Sequence, residues 1–319
     1  MARPVRFREK AQTEFAKTIG QLADRHSTWQ VWADFVTLSA IAIANCFGDT
    51  GDQRHQEREA EYSRIMERYN PREREILPQL FGLTVQALEE NPRQDFLGEM
   101  FMGLDLGNHW KGQFFTPYHL CEFMAECTMM DLEEHIQQKG WIGIMDPACG
   151  AGALLIAARN RIYLANPPVG YLPAHLHALF VCQDIDRTAA LMCYIQLSLL
   201  GCSGYVVVGN SLTNPSVSLY GNPLLPIEKA GQEIWCMPMF HDQVWVYRQA
   251  IARLEGLMVP EVKEAVSEAV QEMPVTQPDL PDKSEKCPEL SEKCPITQSE
   301  PEPEGMELNV TSTGQLSFF

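Results

Sequence analysis

The sequence is short of positive charge. Lys and Arg number 25 against 42 Asp and Glu, a formal net charge of −17. Sequence-independent affinity for nucleic acid comes from neutralising phosphates. A body this acidic is a poor general DNA binder, so a nucleic-acid substrate would need a local basic face or a partner to draw it in. Paired cysteines are missing as well. The ten cysteines include no CxxC and no metal-type spacing, which excludes a metal centre built on cysteine pairs. Several lie in apolar runs (Cys46, Cys182, Cys193, Cys236) and read as buried reduced thiols. Long apolar runs are scarce too. The most apolar early segment, 31–47, is interrupted by Asp34 and Asn45 and reads as too short for a bilayer. The N-terminus is Arg-rich and polar through Arg25, unlike a secretion signal. The expectation is a soluble, cytoplasmic protein with no membrane partner.

What is present supports a real core. Hydrophobic residues make up 45% of 319, enough for one large domain with an extension or for two domains. The acidity is uneven. From Glu261 onward there are 13 acidic and 4 basic residues, a net of −9, which leaves −8 for the body. From Pro274 the chain is rich in Pro, Ser and Glu, and Ser-Glu-Lys-Cys-Pro occurs at Ser284 and again at Ser291. Such a tail cannot bury a core, and disorder is expected over 259–319.

Residues 1–110 read as helical, with no strand signal. Phe15, Ile19 and Leu22 keep a 3.6-residue period, and Trp29, Trp32, Phe35 and Val36 continue an apolar face. Pro71 marks a break or a helix start in a charged segment, and Asn91-Pro92 ends the next helix. Residues 111–258 change character. A helix over 117–131 precedes an apolar strand over 142–145, then a glycine-rich turn and a helix over 153–161. Strands follow at 179–182 and 205–208, separated by a helix over 187–200. Each strand ends in polar, ligand-type residues, which indicates a parallel, doubly wound α/β sheet. A fourth strand is expected at 233–237, then a helix over 243–257.

Four motifs stand on these elements in order: Gly112-Gln113-Phe114-Phe115-Thr116-Pro117, Asp146-Pro147-Ala148-Cys149-Gly150-Ala151-Gly152, Gln183-Asp184-Ile185-Asp186 and Gly209-Asn210-Ser211-Leu212. Together they resemble the DNA adenine-N6 methyltransferases, and most closely the modification subunits of type I restriction systems. The likeness spans about 95–212. A lone glycine-rich turn is weak evidence, whereas four ordered motifs are specific.

The resemblance implies a Rossmann-like methyltransferase sheet preceded by a helical region, S-adenosylmethionine as cofactor, no metal, and methyl transfer to an adenine flipped out of DNA. It also implies a partner for sequence reading, such as a specificity subunit. Phe115 and Thr116 would hold the methionine end of the cofactor, and Asp146 its cationic amino group. Ala148, Gly150 and Gly152 would let it pass close to the backbone, because glycine has no Cβ. Asp184 would accept both ribose hydroxyls, and Asn210 would address the adenine edge. Taken singly, Asp and Asn at strand ends also serve as helix caps.

The family carries Asn or Asp, two prolines and an aromatic after the fourth strand, and here the sequence departs. Asn166-Pro167-Pro168 falls in a helix-to-strand loop, at the amino edge of the sheet, with Val169 in the aromatic's place. The expected position holds Met237-Pro238-Met239-Phe240. Pro238 and Phe240 fit it, and Met237 can neither donate nor accept the bonds an amine needs. Asn214 and Asn222, each before one proline, are further candidates for that role. The alternative is therefore a non-catalytic protein of the same fold that binds DNA or acts in regulation or anti-restriction. A last signal is Gln315-Leu316-Ser317-Phe318-Phe319. With Gln315, Leu316, Phe318 and Phe319 as anchors, it is similar to the peptide by which bacterial replication and repair proteins dock on the sliding clamp.

Overall fold

The computed structural model describes residues 9–22, 25–48, 50–106, 115–130, 132–164, 173–258 and 316–317. Five helices come first: α1 (Lys10–Gly20), α2 (Thr28–Phe47), α3 (Gln53–Met66), α4 (Pro71–Glu90) and α5 (Phe96–Gly103). Local chemistry sets their starts. Ser27 caps α2 by accepting the Gln30 N–H. Asn70 and Glu73 form a reciprocal capping box at α4, whose first residue is Pro71, a position where a missing N–H costs nothing. By length and composition α2 could cross a membrane, which corrects the expectation that this segment is too short. Two thirds of its most apolar window is buried inside the protein. The chemistry of that burial is visible at Asp34, which accepts from Tyr69 Oη, Arg68 Nη1 and Gln30 Nε2 at 2.8–2.9 Å. Phe15 of α1 meets Trp32, Phe35 and Phe96 edge-on at 5.4–5.9 Å, joining α1, α2 and α5 in one core.

Helices α6 (Tyr118–Thr128) and α7 (Leu132–Lys139) lead into the sheet. Its strands are β1 (Ile142–Asp146), β2 (Ala178–Asp184) and β3 (Ser203–Val208), with α8 (Ala153–Tyr163) and α9 (Arg187–Leu199) as crossovers. β1, β2 and β3 are parallel neighbours in that spatial order. The α/β, Rossmann-like class expected from the sequence is the class found. One apolar core runs from α1 through α2, α8 and α9 to the first face of the sheet, so the helical region and the sheet share their interior. A smaller core on the second face gathers Leu179, Val181, Tyr205, Phe240 and Trp245. It lies beneath α10 (Gln243–Leu257), the helix expected over those residues.

After β3 the chain makes a short hairpin, β4 (Val217–Ser218) with β5 (Pro226–Ile227), and then β6 (Glu233–Cys236). The strand expected at 233–237 exists, but it is antiparallel and lies on the outer side of β3. Side chains hold it there. Arg187 Nε bonds both Glu233 carboxylate oxygens at 3.0 Å, its other nitrogens reach Glu61 of α3, and the Arg58 guanidinium stacks 4.2 Å over Trp235. On the other side of the sheet, β7 (Leu316–Ser317) pairs in parallel with Ile144 and Met145. Of the cysteines placed in apolar runs, Cys182 and Cys193 are buried, Cys236 is half-buried and Cys46 is exposed. Cys46 sits in the last turn of α2, where the helix leaves the core.

Candidate functional site

β1 ends at Asp146, and the chain turns through two glycines in left-handed backbone, Gly150 (φ +53°) and Gly152 (φ +97°), before α8 begins. A side chain would be strained at both positions. A Cβ at Gly150 would stand 3.0 Å from the Phe115 ring, and one at Gly152 3.0 Å from Cys193 Sγ. Cys149 N–H docks the turn on the Gln183 carbonyl at 3.0 Å. Beneath it, burial pushes the Cys182 thiol up to about 11 and Cys193 also well up, so these are neutral packing groups and not nucleophiles.

The acid at the end of β2 is tied to this turn. Asp184 Oδ2 accepts the Gly150 N–H and Oδ1 the Asp186 N–H, both at 2.8 Å. A carboxylate has about four acceptor positions, so two hydroxyl donors could be added without breaking either bond. Burial raises the Asp184 pKa, and the backbone N–H groups of Asp186, Gly150 and Ile185 oppose that. Asp186 has the capping role, accepting from Thr188 and Ala189 at the start of α9. Asn210 uses its carbonyl in a turn, accepting Leu212 and Thr213 N–H at 2.9 and 3.1 Å. Its side-chain NH2 has no partner among the described residues.

Asp146 is turned inward. It is 1% exposed, Oδ1 accepts the Ala148 N–H at 3.0 Å, and burial, with the Asp184 charge adding, pushes its pKa up to about 6. Its placement supports the turn. Phe115 and Thr116 line a different space, a cleft of about 530 Å³ between α5 and α6 that also includes Asp95, Glu99 and His119. Gly112, Gln113 and Phe114 lie outside the described residues.

Two buried side chains organise this edge, and the sequence reading passed over both roles. Gln183, fully buried, donates to the carbonyls of Asn214 (2.9 Å) and Gly209 (3.1 Å) and accepts the Ser216 N–H (2.8 Å), pinning the segment after β3. Gln196 of α9, also fully buried, donates to the Ala151 carbonyl of the glycine turn (2.9 Å) and to Asp95 Oδ1 (2.8 Å), and accepts the Leu97 N–H (3.0 Å). For Gln196 the available signal was an amide inside an apolar helical run, where a polar group survives only when satisfied.

The acceptor candidates separate sharply. β6 runs antiparallel, so its end lies at the amino edge of the sheet, opposite the glycine turn. Met237 N–H bonds the Gly204 carbonyl, and Ser203 Oγ donates to both Met239 and His175 carbonyls. Pro238 and Phe240 therefore stand away from the glycine turn, and Phe240 is a core residue packed on Tyr205 at 5.8 Å. The expectation that they form the acceptor site is corrected by strand direction. Asn222 accepts the Leu224 N–H and faces a groove beside Lys139 and Ile142, at the start of β1. Asn214 alone of these stands at the carboxyl edge. Its Nδ2 donates to the Ala230 carbonyl (3.1 Å), and its Oδ1 accepts nothing among the described residues. Asn166-Pro167-Pro168, Gln315, Phe318 and Phe319 lie outside the described residues, and of Leu316 only the strand pairing is described. Next to Met145 an apolar groove of about 380 Å³ opens on the second face, between Val181, Tyr205 and residues 216–218.

No curated protein matches the chain. Among solved structures, one assigned as a class I S-adenosylmethionine-dependent methyltransferase from Listeria monocytogenes aligns over 71% of this chain and 67% of its own, at 17% identity and a TM-score of 0.32. A family model described as N-6 DNA Methylase matches residues 99–260, from within α5 through α10. That span holds the glycine turn, the Asp184 strand end and the pinned segment after β3, and it is just over half of the sequence: the chain belongs to the N-6 DNA methylase family.

Proposed function

We propose that this protein binds S-adenosylmethionine at the carboxyl edge of β1 and β2 and takes part in adenine-N6 methylation of DNA. The observation that carries the reading is the junction of the glycine turn with Asp184. That carboxylate holds the turn through Gly150 and keeps acceptor capacity for two ribose hydroxyls. Gly150 and Gly152 admit a ligand close to the backbone, Phe115 and Thr116 bound its methionine end, and the free NH2 of Asn210 addresses an adenine nitrogen. When bound, the cofactor supplies an activated methyl group on a sulfonium, so the protein's task is positioning more than acid–base work.

On the acceptor side, Asn214 is the amide this reading favours for orienting the amine of an extruded adenine. Its free Oδ1 lies at the cofactor edge, and Gln183 fixes its backbone. DNA, a specificity subunit or another methyltransferase partner, and the sliding clamp bound through Gln315, Leu316, Phe318 and Phe319 are the partners of this reading. The cytoplasm is its place of action. The net charge of −17 supports delivery to DNA by a partner, since the chain is too acidic to hold phosphates on its own.

A second reading, a cofactor-binding protein that transfers nothing and acts in regulation or anti-restriction, draws support from Met237 and Phe240, which are buried in the core. Incubation with tritiated S-adenosylmethionine and bacterial DNA separates the two. Retained cofactor with label in adenine, lost in Asn214→Ala and kept in Asn222→Ala, supports methylation through Asn214. Retained cofactor without label, in the presence of candidate partners, supports the second reading. Absence of cofactor binding sinks both.

A further inference from the structure

The amino-acid end of such a ligand is a zwitterion, an α-ammonium beside an α-carboxylate, and the carboxyl group of Asp146, which would meet the ammonium, is turned into its own loop. Another carboxyl group is better placed. Asp95 caps α5 through Oδ1, which accepts the Gly98 N–H at 3.0 Å and Gln196 Nε2 at 2.8 Å. The residue is 3% exposed, yet it lines the cleft between α5 and α6, and no described residue donates to Oδ2. A buried carboxylate with one oxygen satisfied and the other facing a cleft is stabilised strongly by a cation. Burial raises the pKa of Asp95, as it does that of Glu99.

The rest of the cleft has the same sign. Glu99 lines it, as do His119 and Glu122, and Glu122 is paired with Arg93 at 3.0 Å, so the unpaired negative charge there is that of Asp95 and Glu99. Glu99 is held in place by Gln12 Nε2 at 2.7 Å. No group of three His, Cys, Asp or Glu among the described residues could hold a metal ion, which points to an organic cation. Position fixes which one. Gln196 bonds Asp95 and the Ala151 carbonyl through the same nitrogen, so the carboxyl group is one side chain away from the glycine turn. Phe115, whose ring lies against Gly150, walls the same cleft.

We propose that Asp95 receives the α-ammonium group at the amino-acid end of S-adenosylmethionine, with Glu99 adding negative potential and Gln196 fixing the carboxyl group relative to the glycine turn. The adenosine end stays with Asp184 and Asn210. This inference rests on the cofactor reading above.

Calorimetric titration with S-adenosylhomocysteine, and with 5′-methylthioadenosine, which lacks the amino-acid end, tests it in Asp95→Asn. Asn caps a helix as well as Asp does, so α5 keeps its start. A charge-assisted bond contributes roughly tenfold to a hundredfold in affinity. The substitution is expected to weaken S-adenosylhomocysteine by at least about tenfold and to leave 5′-methylthioadenosine unchanged. Glu99→Gln keeps the bond to Gln12 and is expected to weaken S-adenosylhomocysteine severalfold; it decides the matter if Asp95→Asn does not fold. Unchanged affinity for S-adenosylhomocysteine in the folded variants overturns the inference and leaves the cofactor reading standing. A wild-type protein that binds neither ligand overturns the cofactor reading itself.

Discussion

Replacing Gln196 by Leu tests the structural keystone of the site without touching a residue assigned to the cofactor. The side chain makes three bonds at 0% exposure, to Leu97 N–H, the Ala151 carbonyl and Asp95 Oδ1. Leu fills much the same volume, so the loss is almost purely polar. Each buried group left without a partner costs about 1–3 kcal/mol. Leu97 N–H and the Ala151 carbonyl lose a partner outright, and Asp95 keeps the Gly98 N–H and can take up a proton. The sum is about 4 kcal/mol, which for a domain of this size corresponds to a fall in Tm of roughly 8–16 °C. Differential scanning calorimetry near neutral pH measures it. Gln196→Glu separates this mechanism from simple mispacking. It keeps the acceptor for Leu97 but sets a second carboxyl group beside Asp95, so the pair favours a shared proton and the folded-state pKa rises. The stability that proton confers is full below the ordinary carboxylate range and is lost as pH rises. The Glu variant should therefore recover toward wild type in acid more than the Leu variant, which gains only from protonation of Asp95 and still lacks partners for Leu97 N–H and the Ala151 carbonyl. A fall of less than about 3 °C in the Leu variant, or parallel pH profiles for the two, refutes the argument.

Asp146 makes a prediction of the same sign. Its pKa rises from an ordinary 3.8 to about 6 in the folded protein, so the unfolded chain gives up this proton first as pH increases. Stability is full below about pH 4 and declines through about pH 6, by at most about 3 kcal/mol. Asp146→Asn, which keeps the acceptor for Ala148, should flatten that part of a plot of Tm against pH; an unaltered plot counts against the assignment. Phe240→Ala should cost about 3–5 kcal/mol through the cavity it leaves, with the S-adenosylhomocysteine affinity of the folded fraction unchanged. Intact stability with lost methyl transfer would instead place Phe240 at the substrate.

The donor side of the site was legible because its chemistry is local. A strand followed by Asp-Pro-Ala-Cys-Gly-Ala-Gly fixes a turn and a helix within a dozen residues, and Gln183-Asp184 marks the end of the next strand in the same way. The acceptor side depends on direction, which propensity does not carry. Glu233–Cys236 is a strand as expected, but the connection from β3, residues 209–232, contains no α-helix. A parallel neighbour needs a crossover, usually helical, so the missing helix was the signal that β6 returns antiparallel. Helix α7 escaped notice because eight charged and amphipathic residues carry little periodicity. Asp95 and Gln196 escaped because their value lies in each other, 101 positions apart along the chain, and no local pattern records that.

Strand direction also bears on what the site can accept. In doubly wound sheets the ligand crevice opens at the carboxyl ends of the strands, beside the first strand, where the strand order reverses. Here β2 and β3 lie to one side of β1, and β6 extends that side further; beyond β1 the described structure has only Leu316–Ser317. The crevice therefore has one full wall, made of the glycine turn, Asp184 and the segment pinned by Gln183. Among the described residues, no further element stands on its far side beyond Leu316–Ser317. Under the proposed function, an extruded base still attached to its duplex, or an element of a partner, would stand on that side. Of the acceptor candidates with described positions, Asn214 stands on the existing wall and Phe240 does not, so the proposed transfer would run across the pinned segment and not at the end of β6.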